Sequence, residues 1–319
     1  MSSGQRGLNK PVNGSLTRLA GALRSAGGSL GEVLLPRTCP CCAVPVAYGS
    51  GSPLCEACLP QLQSALARVE RVHVLQPLSS DDSVAGCVPE VRAASRYEGI
   101  MPRALLALKN AGRTDLLPPL GEGLARSVYE LLRTHRAELQ NAPGSSISSV
   151  GTPSAPVEVL LIPAPSSAQS VRRRGYAPAN LLVQEAVRQL NQRLPASVRV
   201  RAVDVIGYAP RTQRGSGASL ASRAGSSLLD SSLLGSSLLG ASEAKNEQKS
   251  LGAVGRAERM HGALRVMEPA LCAGRVSIIC DDVVTTGATA SEMVRVLQES
   301  GSRVLGVCAV AAVPKKAQT

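Results

Sequence analysis

At 319 residues, 44% hydrophobic and 18% charged, the chain can bury a core, which excludes global disorder and allows one sizeable domain plus a small module. It has no Trp, no Phe and only five Tyr, so the core must be built from Leu, Val, Ile and Ala, and stacking of bases on aromatic side chains is disfavoured. The formal charge of +12 favours polyanionic partners: phosphates, nucleotides or nucleic acid.

Residues 1–36 are polar, with one weakly amphipathic stretch, and read as a poorly ordered segment. They lack the apolar core of a secretory signal, and no apolar run in the chain reaches membrane-spanning length. The chain therefore reads as cytoplasmic, without membrane insertion. In that reducing setting its nine cysteines are expected as thiols or metal ligands. Residues 37–60 hold two CxxC pairs, Cys39/Cys42 and Cys55/Cys58, with Cys41 as a further candidate that could replace a neighbour. Two such knuckles offer a tetrahedral set of four thiolates, which suits a structural Zn²⁺ in a small ribbon-like module.

Residues 61–139 show helical patterns over about 60–70, 101–111 and 117–139, leading into the core. The stretch 140–156 is rich in Ser, Pro and Gly and reads as a linker. From 157 to 316 strands and helices alternate. Val157–Ile162 is a buried strand, Ala179–Leu194 a helix, Val198–Ile206 a strand, Arg275–Cys280 a buried strand, Ala288–Ser300 a helix and Val304–Val313 a last strand. This order predicts an α/β domain on a parallel sheet with right-handed crossovers. Within it, 215–249 contains SSLLD, SSLLG and SSLLG in tandem, a low-complexity insert whose five-residue period fits neither helix nor strand.

The chemistry concentrates in Val276–Thr289, VSIICDDVVTTGAT. A strand ending in two carboxylates is followed by a short loop and a helix. Free backbone N–H groups and the positive end of the helix dipole suit a phosphate there, and Gly287 lets the backbone approach it. Thr285, Thr286 and Thr289 can add hydroxyl donors, Ala288 opens the helix, and Asp281 and Asp282 can accept hydrogen bonds from cis ribose hydroxyls. At least one of these acids can orient a magnesium-bound water. The segment resembles the phosphoribosyl-diphosphate (PRPP) binding motif of type I phosphoribosyltransferases. That resemblance implies that the acids contact the ribose, the loop grips the 5-phosphate, and Mg²⁺ bridges diphosphate and ribose hydroxyls.

Two further stretches join it. Leu160–Asn180, LLIPAPSSAQSVRRRGYAPAN, carries Arg172, Arg173 and Arg174 on a loop after a strand, where arginines can hold a diphosphate bidentately. Tyr97–Gly121 carries Lys109 ahead of Gly112 and Arg113 at a helix end. Taken in order, the cysteine pairs, Y-x-G…K-x-x-G-R, P-x-P…R-R-x-G-Y and DDVVTTGAT resemble the ComF/GntX family of phosphoribosyltransferase-like proteins over about residues 36–313. The resemblance implies a type I phosphoribosyltransferase core, with Lys109 among the PRPP-binding residues. The sequence departs from the family where Arg211, Thr212 and Gln213 are contiguous and Arg259 stands at an Asn position, a segment expected to cover the second substrate.

Two functions follow as expectations. One is transfer of phosphoribose from PRPP and Mg²⁺ to an acceptor, with Asp281 and Asp282 stabilising a cationic ribose and the arginines taking the leaving group's charge. No base stands out, because His73, His135 and His261 lie outside the motifs. The other is a single-stranded DNA factor, since ComF proteins are linked to DNA uptake in competent bacteria and arginines outnumber acids over 171–214.

Overall fold

The computed structural model describes residues 38–46, 51–72, 89–140, 156–209 and 260–313. The 1–36 segment, the insert 215–249, Arg211–Gln213, Arg259, His73 and Cys87 lie outside these residues, as does the linker apart from its two ends. The chain divides into two compact units, Met1–Leu59 and Pro60–Thr319.

The second unit is a mixed α/β domain on a mostly parallel six-stranded sheet. In chain order the elements are α1 (Cys58–Ala65), β1 (Glu70–Arg71), β2 (Glu90–Arg96), α2 (Met101–Asn110), α3 (Leu117–Thr134), α4 (Arg136–Gln140) and β3 (Val157–Pro163). There follow α5 (Ala168–Arg174), α6 (Pro178–Leu190), β4 (Val198–Ala202), β5 (Ile206–Tyr208), β6 (Leu264–Val266), β7 (Val276–Val284), α7 (Ala288–Glu299) and β8 (Arg303–Ala312). The sheet runs β1-β2-β8-β7-β3-β4, and every neighbouring pair is parallel except β1 with β2. β5 and β6 form a separate antiparallel pair.

The inner strands have no solvent face. Val159, Leu160, Leu161 and Ile162 of β3 are all fully buried, so consecutive side chains, which point to opposite faces, both meet apolar cover. Leu160 and Ile162 belong with Ile279, Met293, Leu297 and Val307 to the core under α7 and the β5–β6 pair. α3 and α6 pack on each other and on the sheet, α3 over β2 and β8 and α6 over β3 and β4. Their approach is close at Gly121, where a Cβ would sit 2.5 Å from Cγ of Glu185. A mid-helix glycine costs about 1 kcal/mol against alanine, and here it is the condition for the two helices to touch.

Several elements differ from the sequence reading. Glu90–Arg96 is a sheet strand although only helices were expected between 61 and 139. The Val198–Ile206 segment is two strands, because the chain leaves the sheet after Ala202 and Ile206–Tyr208 pairs with Leu264–Val266. The arginine cluster lies on the short helix α5, capped by Ser167, whose hydroxyl accepts from Ser170 N–H at 3.2 Å. The strand carrying the two acids does not end at them but continues to Val284.

The topology selects one place on the sheet. β3 and β7 are neighbours, yet the chain leaving β3 returns on one side as β4, while the chain leaving β7 returns on the other as β8. The two connections part at the carboxyl ends of β3 and β7, the crevice in which open α/β sheets bind ligands.

Candidate functional site

A cleft of about 460 Å³ lies at that divergence. From β3 come Ala164 to Ser167, from β7 and its loop Asp281, Asp282, Thr285 and Thr289, from α2 Lys109, from α5 Ser170 and Arg174, and from β5 Tyr208. Tyr97, held at the end of β2 by its N–H bond to the Ala312 carbonyl, completes the rim.

The two acids divide between the sheet faces, as alternation along a strand requires. Asp282 is buried, and its Oδ2 meets the Lys109 ammonium at 2.6 Å. Its Oδ1 accepts from the Val283 N–H at 2.8 Å. Asp281 Oδ1 accepts from the Asp282 N–H at 2.8 Å. Burial raises the Asp281 carboxyl well above the ordinary range and the neighbouring Asp282 charge adds to this, against a smaller lowering by Lys109. Burial, then the charge of Asp281, raises the Tyr208 phenol. The cleft therefore sets two carboxylates, Asp281 and Asp282, beside two cations, Lys109 and Arg174, with Lys109 in direct contact with Asp282.

Beside the acids the chain turns through Thr285–Gly287 into α7. Gly287 is the helix N-cap, in the left-handed region at φ 78°, and the helix has no side-chain cap. A side chain at Gly287 would strain the turn. The Ala288 N–H reaches the Thr286 hydroxyl at the long distance of 3.4 Å. This leaves the α7 terminus able to take an anion.

On the other wall, Tyr176 donates its hydroxyl proton to the Leu108 carbonyl. That bond ties the residue after α5 to the last turn of α2, so Arg174 and Lys109 come to the same cleft. The buried Nε of Arg174 has no partner among the described residues.

Of the residues singled out in the sequence, the cleft gathers Asp281, Asp282, Thr285, Thr289, Arg174 and Lys109. Thr286, Gly287 and Ala288 shape the turn beside it. Arg172 and Arg173 are exposed on α5 and do not line it. Sequence reasoning missed Tyr97, Tyr208 and the serines 166, 167 and 170. The tyrosines carried a signal, as rare aromatics in a chain without Phe or Trp, with Tyr176 and Tyr208 each in a Gly-Tyr-Ala-Pro stretch.

No protein-family model matches the chain, and no curated protein matches its sequence.

In the first unit the Sγ atoms of Cys39, Cys42, Cys55 and Cys58 lie within 4.8 Å of one another, and this group does not include Cys41. Each pair closes a tight turn: the Cys58 and Leu59 N–H groups both reach the Cys55 carbonyl at 3.0 Å, and the Ala43 N–H reaches that of Cys39 at 2.9 Å. Cys42 and Cys55 approach to 3.5 Å. A tetrahedral zinc with bonds of about 2.3 Å sets its sulfurs about 3.8 Å apart, so the donors present fit such an ion. Burial pushes the Cys39 thiol up, but backbone N–H donors of Cys55, Cys41 and Cys42 outweigh it and bring the thiol down to about 6. Burial and the three neighbouring sulfurs push Cys58 up. A divalent cation would relieve that crowding. Among the described residues no helix is long and apolar enough to cross a membrane.

Proposed function

We propose that the cleft binds PRPP with Mg²⁺ and that the protein is a phosphoribosyltransferase of the type I kind, akin to the ComF/GntX proteins, with a structural zinc in its N-terminal unit. One observation carries this reading. The Asp281–Asp282 pair and the uncapped N-terminus of α7 stand side by side at the strand divergence, in one cleft with Lys109 and Arg174.

The 5-phosphate would sit on the α7 terminus, within reach of the Thr285 and Thr289 hydroxyls. The ribose hydroxyls would donate to Asp281 and Asp282, and Arg174 and Lys109 would face the diphosphate. Mg²⁺ fits a site with two adjacent carboxylates and hydroxyl oxygen donors, where it would neutralise the diphosphate. In the transfer the C1–O bond breaks with its electron pair leaving on diphosphate, and the acceptor's nucleophile bonds to C1. The nucleophile's proton departs to solvent or to the diphosphate. As positive charge grows on the ribose, the two fixed carboxylates stabilise it. Lys109 holds the Asp282 carboxylate in position for that role by direct contact.

A thermal melt tests the binding. PRPP with Mg²⁺ at a hundred times its dissociation constant stabilises by about 2.7 kcal/mol, a shift of several degrees. The shift is expected in the wild-type chain and not after Asp281→Asn with Asp282→Asn. No shift at millimolar PRPP would sink the reading. For the zinc, native mass spectrometry is expected to find one ion per chain, lost with Cys58→Ser; a wild-type chain with none would remove that part.

A further inference from the structure

Arg173, which the cleft leaves out, lines a second recess of about 470 Å³ on the other side of Lys109. Its lining is Lys109, Asn110, Gly112, Arg173, Arg174 and Tyr176, which brings three cations together with no carboxylate. Lys109 and Arg174 line both spaces. The Asn110 amide adds donors, and the open turn at Gly112, φ 68°, leaves room, since a Cβ there would meet nothing within 4 Å. Tyr176 is anchored by its bond to the Leu108 carbonyl, which fixes one wall.

Arg173 and Arg174 converge on this concave surface with Lys109, whose charge is shared with Asp282 at 2.6 Å, and the positive charge left over attracts an anion. The bland alternative, basic residues complementing the C-terminal dipole of α5, accounts for their position on that helix. It does not account for the convergence of Lys109 from α2, nor for the buried Arg174 Nε that has no partner among the described residues. Nor does a single diphosphate in the cleft call on Arg173 or Asn110, which do not reach it.

We infer that the recess formed by Lys109, Arg173 and Arg174 is a second anion site, which takes the phosphate group of a ligand other than the one in the cleft. The inference rests on the proposed function only for what fills the cleft. Because the two spaces share Lys109 and Arg174, their ligands compete for those charges. A phosphate in the recess is bound more weakly when the cleft holds its own anion, yet it is not displaced.

Equilibrium dialysis with radiolabelled inorganic phosphate on the full chain, with and without saturating PRPP and Mg²⁺, tests this. The expected result is one phosphate per chain that persists with PRPP present. Its affinity should fall roughly tenfold in Arg173→Ala, the loss of one charge-assisted contact, and further in Arg173→Glu. PRPP binding itself should stay within about twofold in Arg173→Ala, as expected where no contact is removed. Unchanged phosphate affinity in Arg173→Ala would overturn the inference, as would loss of all phosphate when PRPP is added. Equal weakening of phosphate and PRPP would overturn it too, by making the recess the seat of the diphosphate. If PRPP does not bind at all, the proposed function falls, and wild-type against Arg173→Ala with phosphate alone still decides the recess.

Discussion

The cleft at the strand ends and the groove over α3 and α6 are instructive when set side by side. The groove is the larger, about 670 Å³ against 460 Å³, and it is also lined by charge: Arg68, Glu70, Glu122, Arg126, Glu130 and Arg193. Its central charges are matched. Glu122 accepts from Arg126 at 2.9 Å and from Arg193 at 2.8 Å, and those two bonds hold its carboxyl below the usual range, the one from Arg193 most. In the cleft Asp281 is pushed the other way, and the N-terminus of α7 is uncapped. Volume does not tell the two apart in chemistry; the pairing of their charges does. Polar groups held without their complement mark where a ligand completes the structure.

Several experiments can break or sharpen that contrast. Removal of one cation from each place gives the largest difference. Lys109→Ala leaves Asp282 buried and unpaired, at a cost of about 2 kcal/mol. Arg193→Ala leaves Glu122 with Arg126 and costs under about 1 kcal/mol. Chemical denaturation of both variants reads this directly, and equal costs would erase the distinction.

The acids should next show opposite pH dependence. The folded value of Asp281 lies above its unfolded one, so its contribution is present below the unfolded value and is lost as pH rises toward the folded one. Asp281→Asn is therefore expected to raise the midpoint of the unliganded protein as pH rises toward neutral, where the wild-type contribution is being lost. Glu122 is lowered, so its contribution is present above the unfolded value and lost as pH falls through the folded one. Glu122→Gln should therefore destabilise at neutral pH and become neutral in acid. Melts from pH 3 to 8 would show both trends, and parallel slopes would contradict them. The smallest effect is local: Gly287→Ala forces alanine into the left-handed region at about 1 kcal/mol. A melt with PRPP and Mg²⁺ present should show a smaller ligand-induced shift than in the wild-type chain as well.

The amount legible in the sequence followed the strength of the local signal. β3, β7 and β8 each carry an apolar stretch buried on both faces, and α7 follows a glycine turn, so these were readable to within a few residues. β2 reads Glu-Val-Arg-Ala-Ala-Ser-Arg, without a bulky apolar run. It is a strand because it pairs in parallel with β8 and because its small residues fit under α3, with Arg92 2.6 Å from Glu90 beside them. β5 owes its existence to β6, fifty-odd residues on, and no local pattern announces a long-range pair. In the same way the acidic loop was visible as a motif, whereas Tyr97 and Tyr208 arrive from separate strands by topology. Arg173 and Arg174 are adjacent in sequence, yet only the side-chain direction on α5 sends one to the cleft and both to the recess.

Calorimetric titration of PRPP in the presence of Mg²⁺ bears most directly on the cleft. Saturable binding at one site per chain is predicted, with release of protons read from its dependence on buffer, since a ligand and cation at Asp281 favour the ionised carboxylate. The same titration should be silent in the Asp281→Asn, Asp282→Asn double variant and intact in Glu122→Gln. Binding that survives the double substitution, or no heat from the wild-type chain at millimolar PRPP, would contradict the account.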